Sequence, residues 1–233
     1  GCFMLMNTGN KPHPSKHGLV TTIAWGYQGE ITYALEGSVF VAGSAVQWLR
    51  DQLKFFKTAK ESENLALSAK EEHELIVVPA FVGLGAPYWD NDCKGAMFGI
   101  TRGTSKEDMT KATLDSIAYQ NRDILDAMKE DSGIAIQSLR VDGGASANDY
   151  LMQFQSDIMQ CAIERPENVE STALGAAYLA GLAVGYWSNL EEIKKERNSH
   201  IFMPLMEVTD VNHLYERWQK AVTCARMFTK NEE

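Results

Sequence analysis

Apolar and polar positions in the first part of the chain follow the pattern of short β-strands. Apolar, β-rich runs cover residues 2–7, 19–25 and 30–35, and turn-forming residues separate them. Gly26 to Gly29 between the second and third runs is a plausible hairpin turn. The pattern predicts three successive antiparallel strands.

Helical spacing then alternates with short strands. Apolar residues recur three or four positions apart up to residue 56, and again over residues 105–129, where Ser105 and Asp108 form a variant of the capping box. The continuous apolar run 75–81 is typical of a buried strand. From residue 138 onward the order is strand, helix, strand, helix. We therefore predict an α/β fold with one sheet.

The segment 171–190 contains no charged residue and approaches the length of a membrane span. Several Gly and Ala residues dilute its hydrophobicity, and Gly181 and Gly185 have the spacing that lets helices pack closely. We predict a buried helix over residues 172–187 and no membrane span.

Composition and charge narrow the class of protein. The 233 residues are enough for a hydrophobic core, and the balance of 22 basic against 31 acidic residues gives a net charge of −9, which disfavours nucleic-acid binding. The four cysteines are far apart in sequence and the five histidines have no ligand spacing, so we predict no metal site in this chain. Reduced thiols are typical of a cytoplasmic protein, the location we predict.

Two glycine-containing turns are candidates for ligand contact. In the first, a predicted strand ends at Val141, the pair Gly143 and Gly144 follows, and Asn148 opens a helix. Glycines allow the backbone to approach a ligand closely, and a helix N-terminus suits a phosphate or a polar ring. Such turns are also common for purely geometric reasons, so both interpretations remain open.

The second candidate lies at the start of the first predicted helix. Gly43 permits close approach there, and Gln47 both donates and accepts hydrogen bonds. Helix packing with a surface amide explains the same residues equally simply. Spacing alone therefore predicts a soluble α/β domain with possible nucleotide contacts and no recognisable catalytic motif.

A set of longer motifs carries a family resemblance. The motifs are Asn-Thr-Gly at 7–9, Tyr-Ala-Leu-Glu-Gly at 33–37, Gln-Trp-Leu-Arg-Asp at 47–51, Val-Pro-Ala-Phe at 78–81, Gly-Leu-Gly-Ala-Pro-Tyr-Trp-Asp at 83–90 and Leu-Arg-Val-Asp-Gly-Gly-Ala at 139–145. With them the chain resembles the C-terminal domain of the FGGY carbohydrate kinases, and within that family the members that phosphorylate glycerol. The resemblance is weaker in about the last forty residues.

The resemblance implies a ribonuclease H-like core of the actin-like ATPase fold: a mixed sheet with three leading antiparallel strands, flanked by helices. It implies one C-terminal nucleotide-binding domain over residues 1–233, and transfer of the γ-phosphoryl group of MgATP to glycerol, giving glycerol 3-phosphate. ATP and Mg are the implied cofactors, with the Mg ligands mainly outside this chain.

The resemblance also assigns site residues by position. Phe3 would pack against the carbon backbone of glycerol. The catalytic Asp and the other glycerol ligands would belong to an N-terminal half before Gly1, so we expect the chain alone to be inactive. The residues implied at the nucleotide are Gly43, Gln47, Gly143, Gly144, Ala145 and Asn148.

Two alternative functions remain open. One is a related FGGY kinase that acts on a ketopentose, and the other is a non-catalytic module used for association. The expected partners are glycerol and MgATP or MgADP in a full-length enzyme, which we expect to be a homo-oligomer; no nucleic acid is expected.

Overall fold

The computed structural model describes residues 1–70, 74–168, 170–194 and 198–229. Its strands, in chain order, are β1 (Cys2–Gly9), β2 (Val20–Tyr27), β3 (Glu30–Val39), β4 (Ile76–Val78), β5 (Ala96–Phe98), β6 (Ser138–Arg140), β7 (Ala162–Pro166) and β8 (Ser199–Phe202). Its α-helices are α1 (Gly43–Asp51), α2 (Glu61–Leu67), α3 (Lys106–Ser132), α4 (Asp149–Met159), α5 (Ser171–Ala183), α6 (Leu190–Lys194) and α7 (Val208–Thr229).

The three leading strands form an antiparallel sheet in the order β1-β3-β2, as predicted. Strands β2 and β3 are longer than their apolar runs, so the connecting turn is only Gln28 and Gly29. Both turn residues have positive φ, +51° and +83°. This is the backbone pattern of a type I′ turn, whose twist matches that of the flanking strands.

Helix α3 is the central element of the core. The predicted capping box is present: the Ser105 hydroxyl accepts from the Asp108 N–H, and the Asp108 carboxylate accepts from the Ser105 N–H at 2.9 Å. The helix ends at Gly133, whose φ of +66° suits glycine. Helices α1, α2 and α4 and strands β1, β3 and β4 all pack against α3. Each predicted site segment is therefore anchored to one helix.

Helix α1 is shorter than its apolar spacing predicts. It ends at Asp51, and Lys54 has a φ of +58°, which an α-helix cannot accommodate. Phe56 still reaches the core, but from the loop that follows. The helical spacing thus indicated core contact correctly and helix length incorrectly.

The prediction of one continuous sheet is wrong. The described strands form three hydrogen-bonded groups, in which β4 pairs with β5, and β6, β7 and β8 form a sheet of their own. A cavity of about 400 Å³ lies between β1 and residues 134–139. Among the described strands, β1 and β6 share no hydrogen-bonded pairing, so the β1-β3-β2 sheet and the β6-β7-β8 sheet are separate.

The prediction of a buried helix over residues 172–187 is also wrong. Helix α5 forms, but none of its residues is buried. The Trp187 ring folds back onto α5, where it lies against Gly181 and packs edge-on against Tyr178. Among the described residues, no helix combines the length and apolar character needed to cross a membrane.

Candidate functional site

The turn after β6 has the geometry that its glycines indicate. Gly143 has a φ of +81°, a conformation that side-chain-bearing residues rarely adopt. A short 3-10 helix, Gly144–Ala147, follows, and the buried Ser146 hydroxyl donates to the Gly143 carbonyl at 2.7 Å. The Asn148 side chain then accepts from the Leu151 N–H at 2.9 Å and caps α4. We call residues 143–149 the glycine turn.

Two further segments hold the glycine turn in place. From α2, the Ser62 hydroxyl accepts from the Asn148 amide at 3.4 Å, and the Glu63 carboxylate accepts from the Asp149 N–H at 3.0 Å. From β7, the Arg165 guanidinium donates to the Ser146 carbonyl at 2.8 Å and to the Asp149 carboxylate at 2.7 Å.

Sequence reasoning missed the residues of these two segments. No motif in the sequence marks Ser62, Glu63 or Arg165 as neighbours of the glycine turn. Their contacts bridge 16 to 86 positions of the chain, and no local pattern reports contacts at that separation.

The start of α1 is the second candidate segment. Gly43 and Gln47 are four residues apart and share one face of the helix. Gln47 is exposed, whereas Ala45 and Val46 are buried. Among the residues that the structure describes, no side chain caps the first N–H groups of α1, in contrast to α3 and α4. Apart from the Ala45 N–H, which donates to the Ala42 carbonyl at 2.9 Å, the N-terminus of α1 therefore keeps donors and partial positive charge available to a ligand.

Two glycines in these segments have no explanation within the described chain. Neither Gly43 nor Gly144 has a positive φ. A Cβ atom built on either one would meet no other heavy atom of the described residues within 4 Å. Backbone conformation and packing therefore tolerate alanine at both positions. The close approach of a ligand is a physical reason for glycine at such sites.

Phe3 lies on the opposite side of β1 from the core. Its neighbour Met4 is buried, while the Phe3 side chain is 68% exposed. Next to it, burial raises the pKa of the Cys2 thiol to about 11, so the thiol stays protonated at neutral pH. Phe3 is thus an apolar surface presented on a strand whose inner face is fixed in the core.

The structure places Phe3, Gly43 and Gln47 on elements that pack against α3, and the glycine turn leads into α4, which also packs against α3. Helices α1 and α4 contact α3 directly, and α2 contacts both α3 and α4. Among the residues that the structure describes, no group of three or more His, Cys, Asp or Glu side chains is arranged to hold a metal ion.

A family model for the C-terminal domain of the FGGY family of carbohydrate kinases matches residues 1–184. The chain belongs to the FGGY family of carbohydrate kinases. The match includes the glycine turn, the start of α1 and Phe3.

Curated relatives of this FGGY chain include two bacterial glycerol kinases. The chain is 61% identical over 229 residues to glycerol kinase of Bacillus licheniformis and 62% identical over 229 residues to that of Halalkalibacterium halodurans. In both cases the match covers 98% of this chain and 46% of the relative. The chain therefore spans about half the length of the curated relatives it matches.

Solved FGGY kinases show the same fold. Glycerol kinase of Plasmodium falciparum, solved with ADP, is 36% identical and superposes with a TM-score of 0.88 over 99% of this chain and 46% of that chain. A xylulose kinase of Lactobacillus acidophilus has a TM-score of 0.79 at 22% identity, over 95% of this chain and 44% of its own. This FGGY domain has the α/β, ribonuclease H-like core of the actin-like ATPase fold, as the resemblance implied.

Proposed function

We propose that the chain is the nucleotide-binding half of an ATP-dependent glycerol kinase, forming one domain over residues 1–233. The identity of about 60% to glycerol kinases supports this function. So does the ADP-containing Plasmodium falciparum structure, which has the same fold at 36% identity. The reaction is transfer of the γ-phosphoryl group of ATP to glycerol, giving glycerol 3-phosphate.

The observation that carries the proposal is the pair of glycines, Gly43 and Gly144, that the chain's own backbone and packing do not require. Each lies at a helix start where backbone N–H groups are available to an anionic or polar ligand. A nucleotide brings both a polar ring and phosphates, which match two such segments.

The site residues take separate roles. Gly43 and Gln47 lie along the nucleotide on α1. The glycine turn contacts the nucleotide through Gly144 and Asn148. Gly143 and Ala145 set the shape of that turn. Phe3 provides an apolar wall for the carbon atoms of glycerol.

Phosphoryl transfer depends mainly on positioning and on neutralising charge, which Mg²⁺ supplies when bound with ATP. This chain's residues orient the nucleotide. The catalytic carboxylate and most Mg²⁺ ligands belong to the half of the enzyme that this chain does not represent.

Alanine substitution of the two glycines tests the proposal. In the full-length protein, Gly144→Ala and Gly43→Ala should each raise KM for ATP about tenfold or more, because a methyl group blocks close approach, while thermal stability holds or rises slightly. Gly26→Ala is the matched control: it lies on β2, outside both segments, and its Cβ would meet only the Glu30 carbonyl, at 3.8 Å. Unchanged KM for ATP in both variants would remove these segments from the nucleotide site.

Substrate comparison separates the competing functions. We expect the full-length protein to form glycerol 3-phosphate and the isolated chain to form none. Preferred turnover of a ketopentose would favour the related FGGY kinase, and association without MgADP binding in calorimetry would favour the non-catalytic module. Cytoplasmic location and a homo-oligomeric full-length enzyme also belong to this proposal.

A further inference from the structure

Two consecutive buried amide side chains on α3, Gln120 and Asn121, contact the segments that carry the predicted site. Gln120 is 6% exposed. Its Nε2 donates to the Val41 carbonyl at 3.2 Å, two residues before Gly43 at the start of α1, and to the Ser116 carbonyl at 3.1 Å within α3. The Gln120 amide thereby holds the backbone that leads into α1, the first of the two predicted nucleotide segments.

Asn121 links two other segments through its amide and carbonyl groups. Its Nδ2 donates to Gln155 Oε1 on α4 at 2.6 Å, so it holds the helix that follows the glycine turn. Its Oδ1 accepts from the Cys2 thiol on β1 at 3.4 Å, directly beside Phe3. Because burial keeps Cys2 protonated, the thiol retains the hydrogen that it donates.

Directional bonds in a buried setting fix position more tightly than apolar packing does. A buried amide that loses its partner is costly, so the segments are held where these bonds can form. Apolar side chains of similar size fill the same space without fixing the register between segments. Gln120 and Asn121 thus set where α1, α4 and β1 lie relative to one another.

We propose that Gln120 and Asn121 are positioning residues that align the nucleotide segments with the glycerol-facing strand. The inference rests on the proposed function, because it assigns the aligned segments to ATP and glycerol. The two residues act on different segments, since Gln120 places the start of α1 whereas Asn121 places α4 relative to β1. In-line phosphoryl transfer is sensitive to misplacement of about 1 Å, so loss of alignment affects turnover as well as binding.

Near-isosteric apolar substitutions in the full-length protein test these separate roles. Gln120→Met should raise KM for ATP about tenfold and leave KM for glycerol within about twofold. Asn121→Leu should lower kcat about tenfold or more, because it shifts the nucleotide helix relative to the glycerol strand. Gln153→Met is the control on α4: its amide bonds Asp157 within the same helix and the Met203 carbonyl, so it makes no bond to α1 or β1, and its kinetics should match wild type.

Hydrogen exchange on the chain supplies a readout that does not depend on activity. Gln120→Met should speed amide exchange at residues 43–47, and Asn121→Leu should speed it in β1 and α4, whereas Gln153→Met should leave exchange at residues 43–47 and in β1 unchanged. A merely structural role predicts a lower Tm with KM and kcat per folded enzyme unchanged, and that result would overturn the proposal.

The two proposals fail in different ways. A full-length wild-type protein that forms no glycerol 3-phosphate would contradict the proposed function, and the assignment of the aligned segments to ATP and glycerol with it. The hydrogen-exchange experiment then tests only whether Gln120 and Asn121 hold α1, α4 and β1 in place. Unchanged exchange in both variants would show that they do not.

Discussion

Asp123 shows how one buried side chain ties the end of the chain to its centre. Its carboxylate accepts from the Tyr215 hydroxyl at 2.6 Å and from the Trp218 indole N–H at 2.9 Å, which joins α3 to α7. Burial is the main reason that its pKa rises from 3.8 to about 6. The hydrogen bonds from Tyr215, Trp218 and Tyr88 favour the ionised carboxylate and oppose that rise. The negative charge of Asp126 adds to it.

We predict that Asp123 makes the domain less stable as pH rises from about 4 to above 6. Below about pH 4 the Asp123 side chain is protonated in both the folded and the unfolded state. Between about pH 4 and pH 6 it ionises readily only in the unfolded state. Ionisation therefore favours the unfolded state, and the free energy of unfolding falls as pH rises. The difference in pKa corresponds to roughly 3 kcal/mol.

The measurement compares urea unfolding of wild type with Asp123→Asn, which does not titrate, at several values from pH 4 to pH 7. Wild type should lose roughly 3 kcal/mol relative to the variant across that range. A difference in unfolding free energy that does not change with pH would contradict the assignment.

At the residue scale, the sequence reveals residues whose chemistry is local. Gly143 stands at a positive φ and Asn148 caps α4, and both roles follow from neighbouring residues. Gln120 and Asn121 carry no such mark, since α3 is amphipathic with or without them. Their partners on other elements lie 34 to 119 positions away, so their role becomes visible only in the folded chain.

At the element scale, Arg165 is the main tie between β7 and the glycine turn. Its side chain is only 18% exposed and makes two charge-assisted hydrogen bonds to the turn. We predict that Arg165→Met destabilises the domain by about 1–3 kcal/mol and speeds amide exchange over residues 146–151. Urea unfolding and hydrogen exchange measure the two effects.

Arg140 on the neighbouring strand β6 provides the matched control. Its side chain is 68% exposed and pairs with Glu164, on β7 rather than in the turn, at 3.2 Å. Arg140→Met should therefore cost less than about 1 kcal/mol and leave exchange in the turn unchanged. Equal losses in the two variants would mean that Arg165 acts only as a general surface charge.

The sequence predicts elements best where a local signal marks their ends. The Ser105 and Asp108 capping box located the start of α3, and the turn at Gly29 located the hairpin. Helix α5 shows the opposite case: its composition predicts burial, yet burial depends on which other elements reach it. The division of the described strands into three groups instead of one sheet has the same origin, because periodicity does not report which strand edges meet.

At the scale of the whole molecule, the fold class follows from the order of elements and the family motifs, whereas the outer surface does not. Beyond the apolar helix α5, the first sheet leaves Phe3, Leu5 and Trp25 exposed on strands that otherwise build the core. Exposed apolar side chains that lie together on a protein surface often mark a site of association. We therefore expect these exposed apolar side chains to decide whether the isolated chain associates in solution.

We predict that the isolated chain self-associates through α5 and the residues that follow it. Leu179, Val184 and Tyr186 are 46%, 81% and 77% exposed there, with no charged side chain between residues 171 and 190 to oppose contact. Light scattering should show an apparent mass that rises with concentration. The double variant Leu179→Gln with Val184→Gln should shift that rise to about tenfold higher concentration, because association is driven by apolar burial.

Leu67→Gln, a 65% exposed position on α2, should leave association unchanged. A chain that stays monomeric at every concentration, or a Leu67→Gln effect as large as that of the double variant, would show that α5 is not the associating surface.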